Sequence, residues 1–162
     1  MGSGKTTIGK QLAELLMLEF YDCDHELETQ TGASVNLIFD VEGEKGFRIR
    51  ESRLLEELTS KSGILLATGG GVVTSEENRA LLRARGFVVY LKTSIENQLR
   101  RLSQDKSRPL LQSEDRAQRL LDLARVRNPL YESTADLVYS ARNQSVKSTA
   151  KELHSAILER MG

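Results

Sequence analysis

The stretch Gly4-Lys5-Thr6-Thr7 constrains this chain more than any other, because a helical apolar pattern, Ile8, Leu12, Leu15 and Leu16, follows it at once. Glycine, lysine and a hydroxyl residue at the head of a helix form the closing half of a phosphate-binding loop, GxxxxGK[ST]. Glycine lets the backbone curl until successive N–H groups face one anion, and the helix adds its positive dipole end there. In such a loop the backbone of Gly2, Ser3, Gly4, Lys5, Thr6 and Thr7 would curl around a phosphate group. Lys5 would reach the β- and γ-phosphates, and the Thr6 hydroxyl would hold Mg²⁺. The opening glycine of the motif falls ahead of Met1, as does the strand that delivers such a loop. The expectation is therefore that both are missing from this sequence. The helix body, about 4–18, reads as an ordinary amphipathic helix.

Charge removes one class of partner. Lys plus Arg and Asp plus Glu number 23 each among 162 residues, so no basic surplus exists to neutralise a nucleic-acid backbone. A single cysteine, Cys23, leaves no internal disulfide and fits a reducing compartment. No apolar run approaches the ~20 residues of a membrane helix. The expectation is a cytoplasmic, monomeric protein without membrane or nucleic-acid partners, folded as one domain over 1–162.

The order of elements is legible next. Phe20-Tyr21 is a short strand ending in Asp22-Cys23-Asp24, whose carboxylates at i and i+2 would point the same way on a strand. Two readings are open: Asp24 caps the helix beginning at His25, or the pair serves a metal beside the phosphate loop. Helices over 34–39 and after Glu42 are expected to be separated by Gly43 and Gly46. Arg48 and Glu51 stand three apart on the second helix, either as a solvated face or as an anion site. The apolar run 63–67 reads as a buried strand and ends in Thr68-Gly69-Gly70-Gly71. Consecutive glycines cost entropy and suit a place where a ligand approaches the backbone.

A helix over 74–85, capped by Thr74 or Ser75, leads to the strand 87–91 and a helix over 95–103. A polar segment, about 104–116, carries Arg108-Pro109 and reads as a mobile lid or an exposed loop. A helix through Leu120 is expected to end near Pro129. Leu137-Val138-Tyr139 is the last strand, and Val146, Ala150, Leu153 and Ile157 form one face of the last helix. Alternating strands and helices imply a parallel sheet covered on both faces, with ligands at one edge.

Together, GSGKTT, FYDCD, GFRIRE, ATGGG, RPLL, RNPLY and Asn143-Gln144-Ser145 resemble the shikimate kinases over essentially the whole chain. The resemblance implies a P-loop NTPase-like three-layer α/β fold of sheet order 2-3-1-4-5, with strand 1 absent from this chain, helices on both faces and a mobile lid. It implies transfer of the ATP γ-phosphoryl group to the 3-hydroxyl of shikimate, giving shikimate 3-phosphate and ADP on the way to chorismate and aromatic amino acids. Residue by residue, Asp22 and Thr6 would serve Mg²⁺. Asp24 would bind the shikimate hydroxyls and accept the proton. Arg48 and Arg127 would grip the carboxylate, with Gly70 donating from its backbone. Lys5 and the lid residue Arg108 would be catalytic cations, and Arg101 and Gln144 would lie toward adenine. The alternatives are a gluconate-kinase-like enzyme and a nucleotide-binding module without catalysis. Without its first strand, the chain is expected to be poorly stable or inactive by itself.

Overall fold

Four-residue strands pair in parallel and helices carry the chain between them. The computed structural model describes residues 5–102, 116–142 and 144–162. Strand β1 (Glu19–Asp22) pairs with β2 (Ile64–Ala67), Glu19 opposite Ile64 and Asp22 opposite Ala67. Strand β3 (Val89–Lys92) pairs with β4 (Leu137–Ser140), Val89 opposite Leu137 and Lys92 opposite Ser140. Among the described residues these are two separate ribbons, β1-β2 and β3-β4. They match positions 2-3 and 4-5 of the expected order.

The helices are α1 (Lys5–Leu16), α2 (Cys23–Thr31), α3 (Val35–Thr59), α4 (Glu76–Arg85), α5 (Ile95–Leu102), α6 (Arg116–Thr134) and α7 (Val146–Met161), with a 3₁₀ turn at Gly70–Thr74. Parallel strands need such crossovers, and the helices cover both faces. One core gathers Ile8, Leu12, Leu153 and Ile157 of α1 and α7 with Leu65, Val89 and Leu91 of the strands. The other gathers Leu54, Leu55 and Leu58 of α3, Val72 and Val73, with Tyr21, Leu66 and Tyr131 against them. Leu65 and Leu66 thus face opposite cores, the period of two that a strand imposes.

Several expectations change. Helix α1 stops at Leu16, because Met17 takes a left-handed backbone at φ 58. Asp22, not Asp24, caps α2, accepting from the His25 N–H at 3.2 Å. Asp24 lies in the first turn of that helix, so the two carboxylates are not strand neighbours. Only Gly43 (φ 74, ψ 177) interrupts α3, and Gly46 continues the helix. Gly46 packs where a Cβ would sit 2.6 Å from the Glu42 Cβ, and Glu42 is held by Arg50. Helix α6 runs through Pro129 to Thr134 instead of ending near the proline. Proline removes one helical hydrogen bond. The packing of Leu130 and Tyr131, just past the proline, against the core offsets that loss. No helix among the described residues is long and apolar enough to cross a membrane.

Candidate active site

The strand ends β1 and β2 bring the chemistry of α1, α2 and the glycine turn to one edge. Lys5 opens α1. The next residue, Thr6, donates its hydroxyl to the Asp22 carboxylate at 2.7 Å, across a separation of 16 residues. Burial alone would push the Asp22 carboxyl up. The Thr6 hydrogen bond, the Lys5 charge and the backbone N–H groups of His25 and Asp24 outweigh it and hold Asp22 below its ordinary value. Asp22 therefore performs two tasks, capping α2 and anchoring the first turn of α1. A hydroxyl and an ionised carboxylate side by side next to Lys5 are hard oxygen donors, the chemistry Mg²⁺ prefers when phosphates and water complete its shell. The described residues hold no cluster of three or more His, Cys, Asp or Glu side chains that would bind a metal alone.

A second group converges on the glycines after β2. Arg48 of α3 donates to Glu51 at 2.8 Å, one helical turn away. Glu51 is only 3% exposed and Arg127 only 4%, so both are charges held inside the protein. A Cβ on Gly69 would lie 3.0 Å from Glu51 Oε2 and 3.5 Å from Asp24 Oδ1. A Cβ on Gly71 would clash with the Arg48 guanidinium. The glycines are thus the space in which these side chains sit. Burial pushes the Glu51 carboxyl up, Arg48 pulls it back, Asp24 pushes it further up and Arg127 opposes that. Burial lowers the Arg127 guanidinium and the like charge of Arg48 lowers it further, while Tyr131 and Glu51 raise it. The like charge of Arg48 beside Arg127 favours an anion between the two.

The turn itself is pinned from three sides. Tyr131 donates its hydroxyl to the Gly70 carbonyl at 2.6 Å and is hydrogen-bonded to Arg127, one helical turn before it. Its ring packs on Tyr90 with centroids 4.9 Å apart. The buried Asn78 amide donates to the Val72 carbonyl at 3.1 Å, and Arg79 donates to the Val73 carbonyl at 2.6 Å. Asn78 and Arg79 carry no sequence motif of their own, and Tyr131 closes RNPLY without a role assigned to it from sequence. The i, i+4 spacing of Arg127 and Tyr131 was the one available clue, and it has force only if the helix passes Pro129.

Of the expected site residues, the structure brings Lys5, Thr6 and Asp22 together at one place and Asp24, Arg48, Gly70 and Arg127 at another, beside Glu51. Thr7 follows in α1. Gln144 stands ahead of α7, its amide nitrogen donating to Tyr139 at 2.8 Å and to Glu152 at 3.2 Å. Arg142 and Tyr139 also reach Glu152, and together they hold its carboxyl down to about 2. Gly2, Ser3, Gly4, Arg108, Asn143 and the side chain of Arg101 lie outside the described residues, as does nearly all of the expected lid at 104–116. Cys23 is buried, and burial pushes its thiol well up, so it is an inert core residue.

Parallel strands flanked by helices, with a lysine-threonine helix start at their carboxyl edge, define an α/β protein of the P-loop NTPase class. Residues 1–158 match the family model for shikimate kinase. The shikimate kinase of Histophilus somni is 54% identical over 154 residues, 94% of this chain and 88% of that protein. Shikimate kinase 1 of an Enterobacter species is 56% identical over 154 residues, again 94% of this chain and 89% of that protein. Among solved structures, shikimate kinase from Acinetobacter baumannii in complex with shikimate superposes with a TM-score of 0.96 at 49% identity, covering 98% of this chain and 89% of that one. The Aquifex aeolicus enzyme gives 0.82 at 30% identity, covering 99% of this chain and 93% of that one. This chain belongs to the shikimate kinase family.

Proposed function

We propose that this protein transfers the γ-phosphoryl group of ATP to the 3-hydroxyl of shikimate, releasing ADP and shikimate 3-phosphate. The observation that carries the reading is the convergence of Arg48, Arg127 and Asp24 on the glycine turn, one strand end away from Lys5 and Thr6. A small cyclic polyol with one carboxylate fits this arrangement. The two guanidiniums hold the carboxylate and fix the ring. Asp24 orients the acceptor hydroxyl and accepts its proton as the new ester bond forms. The Gly70 backbone supplies a further polar contact, with Tyr131 fixing the peptide group that follows.

Phosphoryl transfer is chiefly positioning and charge neutralisation. Lys5 meets the charge on the transferred group, and Arg108, outside the described residues, would supply a second cation to it. Thr6 and Asp22 would hold Mg²⁺, which would supply neutralisation of phosphate charge. Gly2, Ser3, Gly4 and Thr7 line the phosphates, with Arg101 and Gln144 toward the adenine. The protein is read as one domain, monomeric and cytoplasmic.

A coupled ADP-release assay with shikimate and gluconate offered separately tests the reading. Turnover with shikimate and not gluconate is expected. Turnover of gluconate alone would assign the chain to the other small-molecule kinase class, and nucleotide binding without turnover of either would leave a non-catalytic module.

A further inference from the structure

The hydrogen bonds around the loop from β4 to α7 have a direction, and that direction fixes one side chain. The Tyr139 hydroxyl donates to Glu152 Oε2 at 2.5 Å, and Arg142 pairs with the same oxygen. The Thr149 hydroxyl donates to the Ser145 carbonyl at 3.1 Å. Each hydroxyl has one proton, so both protons are committed. The Gln144 amide nitrogen reaches the Tyr139 oxygen at 2.8 Å, Glu152 Oε2 at 3.2 Å and the Thr149 oxygen at 3.3 Å. The Glu152 carboxyl is held down to about 2, so near neutral pH it is a carboxylate and only accepts. All three groups therefore offer lone pairs to Gln144 and nothing else.

A glutamine amide has two donors on one arm and an acceptor on the other, in nearly the same shape. Turned over, its carbonyl oxygen would face three acceptors with no proton between them. The cluster thus selects one orientation, with the NH₂ group inward and Oε1 turned away from it. The backbone beneath is held as well. The Gln144 N–H donates to the Arg142 carbonyl at 2.9 Å, the Ala141 N–H donates to the Lys92 carbonyl at 2.7 Å, and Ser145 caps α7. Tyr139 and Val146, before and after the loop, pack on the core that holds Ile8 and Leu12 of α1, the helix that Lys5 opens.

Resting on the reading of Gln144 as lying toward the adenine, we propose that Glu152 is a positioning residue for nucleotide selection, holding the Gln144 amide with Oε1 toward the base. Adenine carries an amino donor at the place where guanine carries a carbonyl acceptor. A fixed Oε1 accepts from the adenine amino group and meets the guanine carbonyl acceptor to acceptor. A site built to hydrogen-bond one group rejects the wrong one sharply, because polar atoms are then left facing each other unpaired. Glu152 acts through Gln144 and Tyr139, not on the nucleotide itself.

Titration calorimetry of the full chain with ATP and with GTP, each with Mg²⁺, gives the ratio of the two affinities. It is measured in the parent, Glu152→Gln, Gln144→Ala and the double variant. Glu152→Gln keeps the shape but can donate as well as accept, which frees the Gln144 amide to turn over. The preference for ATP should fall about tenfold, with GTP bound no more weakly than by the parent. Gln144→Ala should lose the same preference, and the double variant should lose no more than either single one. An unchanged ratio in Gln144→Ala would show that Gln144 does not face the base, and would overturn that reading and the positioning role together. A lowered ratio in Gln144→Ala beside a parent-like ratio in Glu152→Gln would overturn the positioning role alone. Equal weakening of ATP and GTP in Glu152→Gln would make Glu152 a structural residue only and would overturn it too. Binding is read without turnover, so a failure to phosphorylate shikimate would refute the proposed function and leave this result standing.

Discussion

Tyr131→Phe isolates how the substrate arginine is held. The ring and its packing on Tyr90 remain, and only the hydroxyl is lost. That hydroxyl donates to the Gly70 carbonyl at 2.6 Å and bonds the Arg127 guanidinium. An ordinary hydrogen bond contributes about 1 kcal/mol net, but stranding a buried partner costs about 1–3 kcal/mol. Arg127 is 4% exposed, so water replaces the lost partner poorly. The expected loss of stability is therefore about 1–3 kcal/mol, or roughly 2–12 °C in melting temperature for a domain of this size. If about 1 kcal/mol of the disturbance appears in carboxylate binding, the KM for shikimate rises about fivefold. The KM for ATP stays close to that of the parent protein. Steady-state ADP release, with each substrate varied in turn, reads both values, and a thermal melt reads the stability. An unchanged shikimate KM with a lowered melting temperature would make Tyr131 a packing residue only. Equal rises in both KM values would detach Arg127 from the substrate side.

Other perturbations separate the remaining roles. Gly71→Ala places a methyl group where the Arg48 guanidinium lies and displaces the flexible end of that side chain. The shikimate KM should rise about tenfold or more with little change in melting temperature, and a normal KM would show that Arg48 does not hold substrate. Lys5→Ala should lower kcat by at least ~100-fold while the fold, followed by circular dichroism, persists; activity within a few-fold of the parent would remove Lys5 from catalysis. Asp22→Asn tests linkage. The folded Asp22 carboxyl sits below its ordinary value of 3.8, so its contribution is present above that value and is lost as pH falls through the lower folded one. The variant should therefore lose less stability than the parent on acidification below pH ~4, while the α2 cap persists because Asn caps a helix about as well as Asp. An identical acid limb in both proteins would refute that assignment.

Local chemistry explains why so much of the site is legible without coordinates. Ser75 and Ser145 cap α4 and α7 where the turn residues demand it, and Gly43 breaks a helix because its φ of 74 suits glycine. Arg48 and Glu51 meet because three residues make nearly one helical turn. The mistaken readings have a common origin. Pro129 stops an isolated helix, and only the burial of the side chains around it carries α6 past that point. Asp22 and Asp24 look equivalent in a string of residues. The end of β1 at Asp22 sends one carboxylate to the cap and to Thr6, and the other toward Glu51 and the glycine turn.

The sequence by itself determined the class of element at each place, the phosphate-loop chemistry of Gly4-Lys5-Thr6, and a family resemblance carried by the order of short motifs. Those properties depend on neighbours a few residues apart, which a string displays directly. Tertiary structure decided which charges are buried together and what pins the glycine turn. Arg48, Glu51, Gly70 and Tyr131 come from three separate segments of the chain. Their mutual distances, and hence their electrostatics, exist only once the strands and helices have packed.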